Sequence, residues 1–268
     1  MKYVKLAAII LALATCALAQ QRGKTNAPKA ALAAGGAAKG DAKASGVEIV
    51  DRIFERYIEA QGGVAAMMRV KTRVMRATMH YSLSNIPGTL EYYAKAPDKS
   101  LAVLNVRDSV QFIEGYDGKT VWLQTPVTGP LVLDQSAVLL DRGSEFGRVR
   151  KASEMFASVI YKGKTTVDGR ETHLVQVAKA GQTPQLLYFD TQDGLLRRAD
   201  VQVSKTMVEA AKVTVYFDSY AEVDGVKLPV TIREVYPGYT LTIKVYEVKH
   251  NVYIDDALFI IPKSTPAK

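Results

Sequence analysis

Leu186-Leu187-Tyr188-Phe189-Asp190-Thr191-Gln192-Asp193-Gly194-Leu195-Leu196-Arg197-Arg198-Ala199-Asp200 is the stretch that decides the fold. Two apolar-rich runs flank an Asp-Gly turn, the strongest short-range signal for a β-hairpin. The pattern returns further on. Val213-Thr214-Val215-Tyr216-Phe217-Asp218 repeats the Tyr-Phe-Asp ending, and Asp224-Gly225 leads into Val226-Lys227-Leu228-Pro229-Val230-Thr231-Ile232-Arg233. A lone hairpin buries one face and is marginal in water, so these strands need a layer or a larger sheet around them.

Working outward, period-two runs fill most of the chain. From residue 72, Met75, Ala77, Met79 and Tyr81 alternate with Arg76, Thr78 and His80. Residues 89–96, 100–106, 110–116 and 120–125 follow, separated by Pro87-Gly88, Pro97-Asp98, Arg107-Asp108 and Asp117-Gly118. Strands resume at 159–167, 171–179, 185–190, 195–203, 212–218, 226–236 and 239–249. Leu228, Val230 and Ile232 oppose Thr231 and Arg233, which gives one dry face and one wet face, as in an antiparallel sheet. We expect about eleven strands. A one-sided antiparallel sheet of that width should curl into a barrel or half-barrel.

Two segments depart from the strand period. Ser45-Gly46-Val47-Glu48 is a capping box. It opens a helix to about Gln61, with Val50, Ile53, Phe54, Tyr57 and Ile58 on one face, ended by Gly62-Gly63 and followed by a short helix at 64–68. Residues 131–158 mix Val138, Leu139, Leu140, Met155 and Phe156 with charged residues. This spacing predicts two short helices split near Gly143, and a lid over the sheet spanning 132–156.

The ends carry no fold. Lys2, Lys5, the apolar run 6–14 and Ala17-Leu18-Ala19 form a secretory signal peptide over residues 1–19. Export across the inner membrane to the periplasm follows. Cys16 is the single cysteine, and Leu13-Ala14-Thr15-Cys16 also resembles a lipobox, which leaves a lipid anchor open. Residues 20–45 are an Ala/Gly/Lys-rich disordered linker, 46–262 the folded domain, and 263–268 a flexible tail. The formal charge is +8, but Lys2, Lys5 and the linker hold most of it, which argues against a nucleic-acid partner.

Motifs for bond chemistry are missing from the sequence. His80, His173 and His250 lack metal-ligand spacing. Gly118-Lys119-Thr120 and Gly163-Lys164-Thr165 lack the earlier glycine of a phosphate loop. Asp190-Thr191-Gln192-Asp193-Gly194 lacks the distal Glu of a calcium loop. No Gly-x-Ser-x-Gly elbow and no Cys-x-x-Cys-His occur. Asp255-Asp256 is expected in a turn or cap. No cofactor is expected. What is abundant is adaptable apolar surface, including Met67, Met68, Met75, Met79, Met155 and Met207. The candidate lining of an apolar hollow is Met75, Met79, Tyr92, Phe112, Trp122, Leu139, Met155 and Phe156.

Several marks together resemble a known family. They are Ala60-Gln61-Gly62-Gly63, Gly115-Tyr116-Asp117-Gly118, Leu187-Tyr188-Phe189-Asp190 with Gly194-Leu195-Leu196, the run 220–229, and Phe259 with Pro262. The chain resembles the LolA/LolB-like bacterial lipoprotein-sorting carriers over roughly residues 47–262. The resemblance implies an open β-barrel of about eleven strands closed on one side by helices, holding lipid or lipoprotein acyl chains. It implies partners in the lipoprotein-transfer machinery of the inner or outer membrane, a monomer, and no catalysis. A packed envelope module without ligand, and a lipid-ester hydrolase, remain as alternatives.

Overall fold

The structure, a computed structural model, describes residues 45–83, 86–106, 110–133, 151–203 and 211–262. Helix α1 spans Gly46–Ala60, and its capping box forms as expected. The Glu48 N–H donates to Ser45 Oγ at 3.3 Å, and the Ser45 N–H donates to Glu48 Oε2 at 2.9 Å. Val50, Ile53, Phe54, Tyr57 and Ile58 are its buried stripe. Gly62, with φ of 109°, turns the chain into α2 (Gly63–Arg69).

Strands β1 (Thr72–Tyr81), β2 (Ile86–Lys95), β3 (Lys99–Val106), β4 (Val110–Tyr116), β5 (Val121–Thr125) and β6 (Gly129–Leu133) form a first meander. A short helix, α3 (Ala152–Met155), precedes the second. That meander is β7 (Ser158–Val167), β8 (Arg170–Ala178), β9 (Gln185–Asp190), β10 (Leu196–Val203), β11 (Ala211–Val223), β12 (Val226–Tyr236) and β13 (Tyr239–His250). All pairings are antiparallel. The order is β6-β5-β4-β3-β2-β1-β13-β12-β11-β10-β9-β8-β7. The first and last strands join the two meanders, with Arg73 opposite His250 and Tyr81 opposite Leu241.

Among the described residues the sheet has thirteen strands rather than about eleven, and it is open, with β6 and β7 as its edges. The twelve runs named from the sequence are all strands. The thirteenth is β6, whose end overlaps the start of the expected helical insert. Gly129 and Pro130 hid it, because neither favours a strand interior, although Pro is tolerated on an edge. Of the expected lid, Val132 and Leu133 therefore belong to β6, and α3 is helical. The rest of that segment, with the split near Gly143 and Leu139, lies outside the described residues.

The hairpin turns follow their sequence signals. Asp224-Gly225 and Asp168-Gly169 both have positive φ at both positions, as a two-residue primed turn requires. The Asp190–Gly194 connection is a longer turn. Asp190 Oδ1 accepts from the N–H groups of Gln192 (2.7 Å) and Asp193 (3.2 Å), and Gly194 is left-handed.

Each sheet face has its own core. On one face, strand side chains pack with α1, α2 and α3 in a single apolar cluster. Phe54 sits 5.1 Å from Phe189 and 6.1 Å from Phe156 between ring centroids, which seats α1 over β9 and the approach to β7. On the outer face Val74, Leu101, Trp122, Ile254 and Phe259 form a smaller cluster. The C-terminal 3-10 turn Asp256–Phe259 covers it.

Candidate functional site

The helix-covered face carries the candidate site. Register aligns its side chains in rows across the strands. Met79, Ile243, Ile232 and Phe217 lie opposite one another on β1, β13, β12 and β11. Ala77, Leu90, Leu104 and Phe112 continue a second row from β1 to β4, and Met75 faces Tyr92 and then Ala102 in a third. Each of these residues is buried and belongs to the same cluster. The apolar face therefore runs without a break across the junction of the two meanders.

Of the residues named from the sequence, Met75, Met79, Tyr92, Phe112, Met155 and Phe156 are brought together in this cluster. Trp122 is not with them. It is 1% exposed on the outer face, where its indole N–H donates to the Phe259 carbonyl at 2.8 Å. Parity explains the placement. Trp122 stands opposite Gly115, one residue out of phase with Glu114 and Leu123, which pair on the helix-covered face. Gly115 is required there, because a Cβ would overlap the indole ring.

Sequence reasoning missed the polar groups on the apolar face. Glu234 is fully buried in phase with Leu228 and Ile232, and it accepts from the Tyr236 hydroxyl at 2.6 Å. Tyr236 stacks on Tyr239 at 4.5 Å, and Tyr239 packs against Tyr81 at 4.8 Å. Burial, reinforced by Glu234, pushes the Tyr236 hydroxyl well up. Burial and Tyr81 do the same for Tyr239. Glu114, next to Ala102 and Leu123 in register, is also buried. Arg73 lies in phase with Met75 and Ala77, and its Nε donates to His250 Nε2 at 3.1 Å. The other His250 nitrogen lies 3.2 Å from the Asp224 carboxylate. Burial and then the Arg73 charge hold the His250 pKa below its ordinary value, against the pull of Asp224. Strand parity alone would have flagged Glu234, Glu114 and Arg73. It would not have flagged His250, because a bulge opposite Arg76 and Ala77 breaks the count on β13.

The motifs weighed for chemistry have structural partners. Asp190, 1% exposed, is engaged by Arg170 and Arg197, and Arg170 and Arg197 also reach Asp193. Guanidinium groups thus hold the carboxylates that a calcium loop would offer to an ion. Burial pushes the Asp190 carboxyl up, but Arg170 and the N–H groups of Gln192 and Asp193 outweigh it and bring the pKa down to about 2. Gly163-Lys164-Thr165 lies inside β7, and Lys164 pairs with Glu171 at 2.9 Å. His173 contacts the Tyr161 hydroxyl at 3.1 Å. Asp255 caps the last 3-10 turn, and Asp256 pairs with Lys95 and Lys99. Among the described residues no three His, Cys, Asp or Glu gather into a metal-binding group.

Beyond the Trp122 cluster, the outer face of β9 to β12 is polar. Arg198 lies between the rings of Tyr188 (4.8 Å) and Tyr216 (5.6 Å), and Arg233 lies over Tyr216 at 4.2 Å. Asp200 and Asp218 pair with these two arginines.

A DUF1329 family protein from Desulfovibrio piger ATCC 29098 superposes with a TM-score of 0.55 at 14% identity, over 81% of this chain and 98% of that one. An outer membrane lipoprotein-sorting protein domain from Vibrio parahaemolyticus gives 0.54 at 12% identity, over 80% and 97%. A LolA superfamily protein from Nitrosomonas europaea gives 0.51 at 11%, over 81% and 98%. The fold is the one these LolA-like structures share. At these identities the LolA-like likeness is one of architecture: an open antiparallel sheet with helices against one face. No protein-family model matches the sequence, and no curated protein matches it.

Proposed function

We propose that the protein is a non-enzymatic carrier that holds lipid or lipoprotein acyl chains against the apolar face of its sheet. The observation that carries this reading is the continuity of that face from β4 across β1 and β13 to β11. Met75, Met79, Tyr92, Phe112, Met155 and Phe156 are the proposed contacts. Trp122 is left out because it serves the other face.

The energetics suit a carrier. Hiding a chain of about fourteen methylenes from water is worth roughly 11 kcal/mol gross. Ordering and desolvation return a large part of that, leaving affinity in the micromolar range. The proposed setting is the periplasm. Residues 1–19 direct export, residues 20–45 serve as a linker, residues 46–262 form the carrier domain, and the protein acts as a monomer. Anchoring through Cys16 is the alternative to release. Among the described residues no helix is long and apolar enough to cross a membrane. The likeness in fold to the Vibrio lipoprotein-sorting domain supports the same setting.

One observation favours a second reading, an envelope module with a packed interior. Phe112 is 3% exposed and Met79 is 5% exposed with no ligand present. Mass spectrometry of organic extracts from protein isolated from the cell envelope separates the two. The carrier yields stoichiometric acyl lipid, and the packed module yields none.

A further inference from the structure

A sheet edge presents a row of backbone N–H and C=O groups that another extended backbone satisfies best. The two edges of this sheet are unequal. Strand β6 has five residues and carries Pro130, which removes a donor. Strand β7 has ten residues, Ser158–Val167, and no proline. It pairs with β8 on one side alone. Among the described residues no backbone hydrogen bond reaches its free side, and α1, which lies over the inner face, donates none to it.

The side chains of this edge alternate between the two faces. Val159 and Tyr161 pack toward the inner cluster. Ile160, opposite Gln176, belongs to the outer face and is 42% exposed. A bulge follows, in which Lys162 is the extra residue between the Tyr161–Val175 and Gly163–Leu174 pairs. Lys162 is exposed and pairs with no carboxylate among the described residues. Its neighbours on the outer face of β8, Leu174 and Gln176, are uncharged. Glu171 is engaged by Lys164 at 2.9 Å. Lys151 and Glu154 at α3 add no net charge, and the carboxylates of α1 belong to the inner side of the sheet. Asp168 lies six residues further along, roughly 20 Å away and beyond the screening length at physiological salt.

We propose that β7 accepts an extended segment of a partner protein as a further strand along Ser158–Lys162. The partner places an apolar residue beside Ile160 and a carboxylate beside Lys162. The free backbone row selects an extended chain, because helices and lipid surfaces cannot match its spacing. The unmatched Lys162 selects an acidic one. A second copy of this chain is the poorer occupant. Antiparallel pairing of two β7 strands along their length gathers Lys162 and Lys164 of both copies at the centre, where like charges oppose one another. The edge is separate from the apolar face, so the proposal does not rest on the acyl-carrier reading.

Fluorescence anisotropy tests this with a capped, labelled peptide of alternating threonine and valine that carries one central glutamate. The purified protein should bind it saturably. The same peptide with its interior amides N-methylated should not bind, because it has lost the donors of a strand. A peptide with lysine in place of the glutamate should bind about threefold more weakly. Lys162→Glu should reverse that order with an unchanged melting temperature, since Lys162 is exposed. Equal binding of the N-methylated peptide, the same order of preference in the wild type and Lys162→Glu, or no binding of either unmethylated peptide overturns the proposal. So does a dimer in sedimentation velocity that the glutamate peptide dissociates, because the edge then belongs to a second copy.

Discussion

Gly62 and Gly225 are packed backbone to backbone: a Cβ on Gly62 would overlap the carbonyl oxygen of Gly225. The Lys227 N–H donates to the Gln61 carbonyl at 2.9 Å beside this contact. Two runs more than 160 residues apart in sequence, Ala60-Gln61-Gly62-Gly63 and Asp224-Gly225, are therefore halves of one clamp. A second clamp lies further back on α1. There the Arg56 guanidinium donates to the Gln192 carbonyl at 2.6 Å, and Gly194 leaves room for the Arg56 stem. Helix α1 is thus fixed over the sheet by two hairpin turns.

Gly62→Ala should destabilise the protein by about 3 kcal/mol, combining overlap with an unfavourable φ. For a domain of this size the melting temperature should fall by roughly 10 °C. Gly63→Ala is the control. Gly63 also has positive φ, but nothing lies near its Cβ position, so the cost should be about 1 kcal/mol. Equal melting temperatures for the two variants would refute the clamp.

Trp122 is the single tryptophan, so its emission reports on the outer-face core alone. Gly115→Ala should red-shift that emission, because the indole must leave its seat on Gly115. Trp122→Phe, which loses the hydrogen bond to Phe259, should cost about 1–2 kcal/mol in urea unfolding. Acyl-probe uptake by Trp122→Phe should match the wild type.

Asp190 predicts an acid limb in stability. Its pKa is lowered to about 2 in the fold, so its contribution is complete above the unfolded value near 3.8 and is lost as pH falls through about 2. The contribution is about 2 kcal/mol. Asp190→Asn should be less stable at neutral pH and should lose that part of the pH dependence between about pH 4 and pH 2 in chemical denaturation.

His250 predicts a second, milder limb. Its pKa is lowered on folding, so the unfolded chain takes up protons first as pH falls below the ordinary histidine value. Stability should be full above that value and decline below it. His250→Gln, which keeps a polar group between Arg73 and Asp224, should flatten the profile from pH 7 to pH 5 as measured by urea midpoints.

Much of this architecture was legible in single residues. Ser45 and Glu48 announced α1 because a capping box satisfies two amide groups that a helix start leaves open. Asp224-Gly225 announced its hairpin because few other residue pairs accept positive φ twice. Register was less legible. The face taken by Trp122 depends on its pairing with Gly115, which no local pattern states. The bulges between Arg76 and Ala77 and around Ser219 shift parity, and they obscure which residues of β13 and β11 point inward. Strand β6 was hidden because an edge strand tolerates Pro130 and needs only half the usual pairing. Glu234 shares the phase of Ile232, but carboxylates usually face water, so alternation alone does not mark it as buried.

The most direct test is a titration of an environment-sensitive fluorescent fatty acid into the delipidated wild type and into Ile243→Glu. Ile243 sits fully buried between Met79 and Ile232, in the middle of the apolar face. Circular dichroism establishes that the variant is folded, and Met79→Glu, one strand across, repeats the test. A carrier binds the probe with saturable, micromolar affinity, and a folded variant loses at least about tenfold. Absence of saturable uptake by the delipidated wild type, or equal uptake by a folded variant, would contradict the account.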